Sequence, residues 1–310
     1  MHIPDGFLTP PVWASLDALS IPAVSLLARK AKTELEESRI PLLGVMGAFV
    51  FAAQMINFPV GPGTSGHLVG GTLLACTLGP AAAALVMTAI VAVQALVFQD
   101  GGVIALGPNV LNMAFAGVLV GYLPVHYFGK RWRRGSIFLG GLLSLLISAI
   151  LALAELLLSG VRIPLPMLWL SLALFAVSAV AEGLISVAAV EAIERLHPSW
   201  VRRGGDDRSR SALVPAIALG AVLLASLGVL IASASPDGLE KLAERAGFAG
   251  RAKALVATPL ADYSLPWAGG EWAGKAAAGI AGVVIVFLLC VTAARILRAR
   301  QSKTASGGGV

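Results

Sequence analysis

Eight stretches of this 310-residue chain are each long and apolar enough to span a bilayer, and no other feature restricts the fold as much. They cover residues 12–28, 41–58, 80–98, 109–125, 136–159, 166–192, 212–234 and 273–296. A helix needs roughly 20 such residues to cross the hydrocarbon core, and inside it every backbone polar group must be bonded internally. The expected fold class is an all-α polytopic membrane protein. Composition agrees: 57% of residues are hydrophobic and 13% charged, against about 25% charged in soluble domains.

Charge placement gives the topology. Lys and Arg gather at 29–39, 130–134, 195–210 and 295–303. Basic loops stay cytoplasmic, which puts the N-terminus and the loop 59–66 outside. An odd number of crossings must then lie between residues 67 and 130, where only two long apolar runs are obvious. The short run 67–79, "HLVGGTLLACTLG", is therefore expected to cross as well, or to act with its neighbour as a short tilted element. The expectation is about seven transmembrane helices in a core, plus a two-helix C-terminal hairpin enclosing an extracytoplasmic loop at 235–272. The N-terminus is extracytoplasmic and the C-terminus cytoplasmic. The polar stretch 196–211 separates an expected domain 1–205 from a second, 206–310. The net charge of +6 lies in short loops, so it reflects topology and not nucleic-acid binding. Cys76 and Cys290 sit in apolar runs and read as small membrane-embedded hydrophobes, not a disulfide.

The opening "MHIPDGFL" has no basic n-region, long apolar run or small-residue cleavage site, so it does not read as a secretory signal. It places one of only four histidines directly behind Met1. Of the others, His126 and His197 fall by cytoplasmic basic loops, while His2 and His67 share the outer face. A terminal amine loses its proton more readily than a lysine. With the amide nitrogen of His2 it closes a five-membered chelate, and Nδ1 of His2 closes a six-membered ring on that same amide. Three nitrogens then lie in one plane, and His67 is the available fourth. Tetragonal nitrogen ligation suits Ni(II) or Cu(II) better than Zn(II). The bulk of His2 is expected to protect Met1 from trimming. Pro4, the Asp5-Gly6 turn and the Phe7-Leu8 anchor read as a plug folding back into the protein.

His67 lies in the glycine-rich loop "FPVGPGTSGHLVGG" (58–71), where backbone can approach a ligand closely, and it is expected to open the next helix. Gln94, Gln99, Asp100, Asn109 and Asn112 are polar groups near membrane depth. They could bind substrate directly or brace the His67 loop; bracing is favoured, with Asp5, Ser65, Gln94 and Asn109 as the supporting residues. Asp17 lies near the outer end of the first span, within reach of water. Glu155 and Glu182 stand inside apolar spans, where acids are functional candidates, although neutral interhelical hydrogen bonding explains them equally well. No P-loop, H-E-x-x-H or G-x-S-x-G motif is present, so an enzyme is not expected and binding or transport is.

"MHIPDGFL" at 1–8, "FVFAAQMINFPVGPGTSGHLVGG" at 49–71, "LGP" at 78–80 and "QALVFQDGGVIALGPNVLNM" at 94–113 resemble the CbiM/NikM family, the substrate-binding membrane subunits of nickel/cobalt energy-coupling-factor transporters. The resemblance covers about residues 1–200. The "SPDGLEKLAERAGF" loop with its flanking spans resembles the PDGLE domain of the small accessory subunit, CbiN/NikN-like, so the chain resembles a fusion of the two. The resemblance implies capture of Ni²⁺ or Co²⁺ as transported substrate through Met1, His2 and His67. It also implies a transmembrane coupling subunit and two cytoplasmic ATPases as partners, and a cell (inner) membrane location. The competing expectation is an ion-coupled secondary transporter working through Glu155 and Glu182. Such transporters often carry related repeats, and none is visible here.

Overall fold

The computed structural model describes residues 1–34, 36–196, 210–255, 258, 260–265 and 268–306, and side chains except at 33–34, 210–212 and 300–306. The first helices are α1 (Pro10–Glu34), α2 (Ile40–Gln54), α3 (Gly71–Leu78) and α4 (Pro80–Val93), the last continued by a π-turn at Gln94–Phe98. Next come α5 (Leu106–Asn109), a π-turn at Val110–Gly117 and α6 (Val118–Phe128), then α7 (Arg133–Leu158) and α8 (Leu165–Leu196). α9 (Arg210–Leu227), α10 (Gly238–Arg245) and α11 (Glu271–Ser306) complete the helices. The sheet among the described residues is one hairpin, β1 (Phe58–Gly61) with β2 (Thr64–Gly66).

Seven of these helical segments are long and apolar enough to cross a membrane: Pro10–Lys32, Pro80–Phe98, Leu106–Phe128, Arg133–Leu158, Leu165–Leu196, Leu213–Leu230 and Glu271–Ala299. The protein is an all-α polytopic membrane protein. Two further segments of the expected nine are shorter than a full span. α2 has 15 residues, roughly 22 Å of helix, and lies almost wholly buried among α4, α9 and α11. α3 has eight residues, roughly 12 Å, about half a crossing.

His67 does not open α3, which starts at Gly71. The reason is a tertiary pairing. Val69 and Gly70 donate their backbone N–H groups to Oε2 and Oε1 of Glu182, at 2.7 and 2.8 Å, and Gln54 Nε2 donates to Val69 O at 2.7 Å. Side chains thereby satisfy backbone groups that a helix would otherwise satisfy itself. Gly70 turns the chain at φ +77°, and a Cβ there would stand 2.6 Å from Val50 Cγ1. Glu182 is thus a brace for a non-helical stretch, and Glu155 accepts one hydrogen bond from Asn112 Nδ2, at 3.0 Å.

The bundle has two contrasting ends. At one, Arg133–Glu194 and Arg134–Glu191 tie α7 to α8, and Arg298 reaches Glu37 at 3.2 Å. His126 is exposed near that end. The other end gathers the N-terminal residues, the hairpin, the connections 99–105 and 159–164, and the described residues of the connection 231–270. The last of these spreads over it: Ser233 N donates to Asn57 O (2.7 Å), Lys253 N to Asp5 O (2.9 Å) and Thr258 Oγ1 to Val97 O (2.6 Å). α9 and α11 pack on α2, so residues on both sides of the expected 205/206 boundary share one core. That boundary itself and His197 lie outside the described residues. Cys76 and Cys290 are free thiols.

Candidate metal site

The N-terminus is buried as a plug: Met1, His2, Ile3, Asp5, Phe7 and Leu8 are all at most 8% exposed. The sequence makes it so by pinning Ile3 and Asp5 to the 99–109 segment. Asn109 grips Ile3 from both sides, accepting from its N–H at 2.8 Å and donating to its carbonyl at 3.0 Å. Gly102 N–H also donates to Ile3 O, at 2.8 Å. The Asp5 carboxylate accepts from Val103, Ile104 and Ala105 N–H groups at 2.8–3.1 Å, tying the plug to the start of α5. Gly6 passes under the 231–270 connection at φ +91°, where a Cβ would lie 2.0 Å from Arg251 O. Phe7 packs edge-on against Phe248, centroids 5.0 Å apart.

This pinning brings the three expected ligand residues together. The Met1 amine lies 2.9 Å from Nε2 of His67. Two nitrogens bound cis to one ion at about 2.0 Å stand about 2.8 Å apart, so the spacing already suits a shared cation. Nδ1 of His67 lies 3.0 Å from Leu68 O, which assigns the proton to Nδ1 and leaves the Nε2 lone pair facing the amine. The rings of His2 and His67 are parallel within 4° at 5.6 Å. Burial, then the positive amine, hold the His67 imidazole down to about 4, so it stays neutral and ligand-competent at physiological pH. Among the described residues no three His, Cys, Asp or Glu side chains are spaced to hold a metal ion by themselves. The nitrogen set here is two imidazoles and a backbone terminus.

The supporting residues connect as well. Ser65 donates through Oγ to Ser235 O at 2.7 Å and through N–H to Pro236 O at 2.9 Å, docking the strand that precedes His67 onto the C-terminal region. Gln94 Nε2 donates to Gln54 Oε1 at 2.9 Å, and Gln54 in turn holds Val69 O. Asp17 accepts from Gly107 N–H at 2.7 Å.

Two carboxylates complete the cluster: Asp237, which the sequence did not single out, and Asp100, one of the polar groups expected near membrane depth. Asp237 forms an ion pair with the Met1 amine, and its Oδ2 lies 3.9 Å from His67 Nε2. Burial pushes the Asp237 carboxyl up, but the terminal ammonium beside it prevails and holds it below the usual range. Asp100 Oδ1 lies 2.9 Å from Nδ1 of His2, the nitrogen expected to bind the ion. Tyr263 donates to the other Asp100 oxygen at 2.5 Å. For Asp100, too, burial acts upward and the attraction of His2 and His67, with the Tyr263 hydrogen bond, prevails. Ligation through Nδ1 would require the His2–Asp100 pair to open. Nε2 of His2 is buried with no hydrogen-bond partner among the described residues. A cavity of about 310 Å³ is lined by Asp5, Gln99, Gly101, Glu240, Lys253 and Asp262.

The only local signal for Asp237 is its capping box. Its Oδ1 accepts from Leu239 and Glu240 N–H at 2.8 and 2.9 Å, and Glu240 accepts in return from Asp237 N–H at 3.0 Å. That pattern announces a helix start and is silent about a partner 236 residues away.

Fold and cluster define a polytopic helical membrane protein in which a buried terminal amine and two buried imidazoles meet two partly buried carboxylates at one end. Comparison with known proteins places it further. Residues 2–200 match the CbiM profile, described as a cobalt uptake substrate-specific transmembrane region, and residues 211–299 match the PDGLE domain. The chain belongs to the CbiM family, with a PDGLE domain joined to it. A protein of Archaeoglobus fulgidus, provisionally named a fused nickel transport protein NikMN, is 33% identical over 96% of this chain and 99% of its own length. The cobalt transport protein CbiM of Acetoanaerobium sticklandii is 34% identical over 50% of this chain and 66% of its own. The crystal structure of a truncated transition metal transporter aligns with a TM-score of 0.57 and 31% identity, covering 64% of this chain and all of that one. The family is one of nickel and cobalt transport proteins.

Proposed function

We propose that this protein is the substrate-capture subunit of an ATP-driven importer of the energy-coupling-factor type, and that its cargo is a divalent transition metal, Ni²⁺ in preference to Co²⁺. The ion is taken at the extracytoplasmic face of the cell membrane by the Met1 amine, the amide and imidazole nitrogens of His2, and the imidazole of His67. Asp5, Ser65, Gln94 and Asn109 hold these groups in place. A transmembrane coupling subunit and two cytoplasmic ATPases supply the energy. The observation that carries the reading is the buried Met1 amine 2.9 Å from the unprotonated nitrogen of His67. Planar nitrogen ligation tilts the preference to nickel. The relatives named above support metal transport as the activity.

The secondary-transport alternative loses its main support because Glu182 is engaged by two backbone amides and Glu155 by Asn112. Nickel uptake in cells discriminates the two. The expected result is accumulation with the coupling subunit and ATPases and loss of it when the ATPase P-loop lysine is replaced. Full uptake by this chain alone, abolished by Glu182→Gln, would contradict the proposal.

A further inference from the structure

Asp237 sits where a structural helix cap has no need to be. One oxygen, Oδ1, does the capping, accepting from Leu239 and Glu240 N–H groups. The other, Oδ2, contacts the Met1 amine and lies 3.9 Å from Nε2 of His67, and those two nitrogens are 2.9 Å apart. The capping bonds fix the carboxylate plane, so Oδ2 is held against the nitrogen pair. The preceding residue is fixed too, since Pro236 O accepts from Ser65 N–H two residues before His67. The side chain is only 13% exposed. An ion bound to both nitrogens at about 2.0 Å would therefore find an anionic oxygen beside it, aimed by the fold. The His2 ring, stacked 5.6 Å from that of His67 on a residue only 5% exposed, keeps a buried Nε2 with no hydrogen-bond partner among the described residues.

We infer that Asp237 is an oxygen ligand contributed by the PDGLE domain to the bound ion, and that it determines how readily Co²⁺ is admitted beside Ni²⁺. This rests on the ligand set proposed above. Four nitrogens in a plane suit Ni²⁺ of low spin. A carboxylate oxygen added to them raises the coordination number and hardens the site, which suits Co²⁺ better, and selectivity between neighbouring divalent ions follows geometry and ligand type more than raw affinity. The competing role for Asp237 is to balance the charge of the free ammonium and to swing away once an ion binds.

The test uses the full chain with its native N-terminus. Ni²⁺ and Co²⁺ are titrated separately into the wild type, Asp237→Asn and Asp237→Ser, with d–d spectra recorded. Asn and Ser are both good helix N-caps, so α10 is retained while the carboxylate is lost. The expected result is a shift of the Ni²⁺:Co²⁺ affinity ratio toward nickel by about tenfold or more in both variants, with changed spectra for each ion. Unchanged ratios and spectra with one ion still bound would overturn the inference and leave the nitrogen site standing. X-ray absorption on the nickel-loaded wild type needs no variant: a shell of more than four donors supports the inference, and four donors overturn it. If the wild type binds neither ion, the nitrogen site itself is wrong and the inference goes with it.

Discussion

The two ends of the bundle use the same kinds of charge in opposite settings. At the basic end, Arg134 and Glu191 pair across α7 and α8 with side chains 75% and 23% exposed. At the other, the Met1 ammonium and Asp237 pair with side chains 7% and 13% exposed. Water screens the first pair and strips most of its worth, so it stabilises by about 0–1 kcal/mol. The second has been taken out of water, and removing one partner from such a pair costs about 3–5 kcal/mol, because a buried charge is left alone. A protein has little reason to bury an amine and two imidazoles beside two carboxylates merely to hold helices together. Such a cluster is suited to compensating a cation, whereas the basic end only fastens helices and marks topology.

The sharpest way to break this contrast is to truncate a group of the buried cluster. His67→Ala removes the fourth nitrogen and should weaken Ni²⁺ binding by at least about 100-fold, read by titration calorimetry. A residual affinity within threefold of wild type would make the cluster structural only.

Glu182→Gln comes next in size. The carboxylate accepts from two N–H groups, but an amide offers a single oxygen and turns an N–H toward the second donor. One buried donor left unsatisfied should lower stability by about 1–3 kcal/mol, visible as a reduced melting temperature. An unchanged melting temperature would show that residues 69–70 do not depend on this acid.

A third test uses pH. Burial and the neighbouring amine lower His67 from 6.5 to about 4. Between those values the unfolded chain binds a proton that the folded chain refuses. The stability contributed by neutral His67 is therefore complete above about pH 6.5 and is lost as pH falls toward 4. The melting temperature of the metal-free protein should fall between pH 7 and pH 5, and His67→Phe should flatten that slope. The smallest effect belongs to the other end: Arg134→Ala should shift stability by less than about 1 kcal/mol and leave nickel affinity unchanged.

Much of this was legible in the sequence because it depended on local pattern. Long apolar runs announced the seven long helices, while the runs at 41–58 and 67–79 fold into helices shorter than a full span. Pro4, Asp5 and Gly6 announced a plug. What stayed hidden were pairings between distant residues. Val69 and Gly70 bind Glu182 through backbone N–H groups, which every residue but proline carries, so no sequence signature marks them. The expectation that His67 opens a helix failed for that reason. Asp237 and Tyr263 reach the site through tertiary packing of the 231–270 connection, and their local motifs are those of ordinary caps and turns; Asp100 stood out in the sequence as a polar group near membrane depth, but its pairing with His2 did not.

The central claim is that the terminal amine binds the ion. The most direct measurement is a Ni²⁺ titration of the purified protein with a native N-terminus beside the same protein carrying Gly-Ser before Met1, with stoichiometry and d–d absorption recorded. The expected result is one ion per native chain, with a nitrogen-rich ligand-field spectrum, and no specific binding by the extended chain. Equal binding and identical spectra for the two forms would contradict the account.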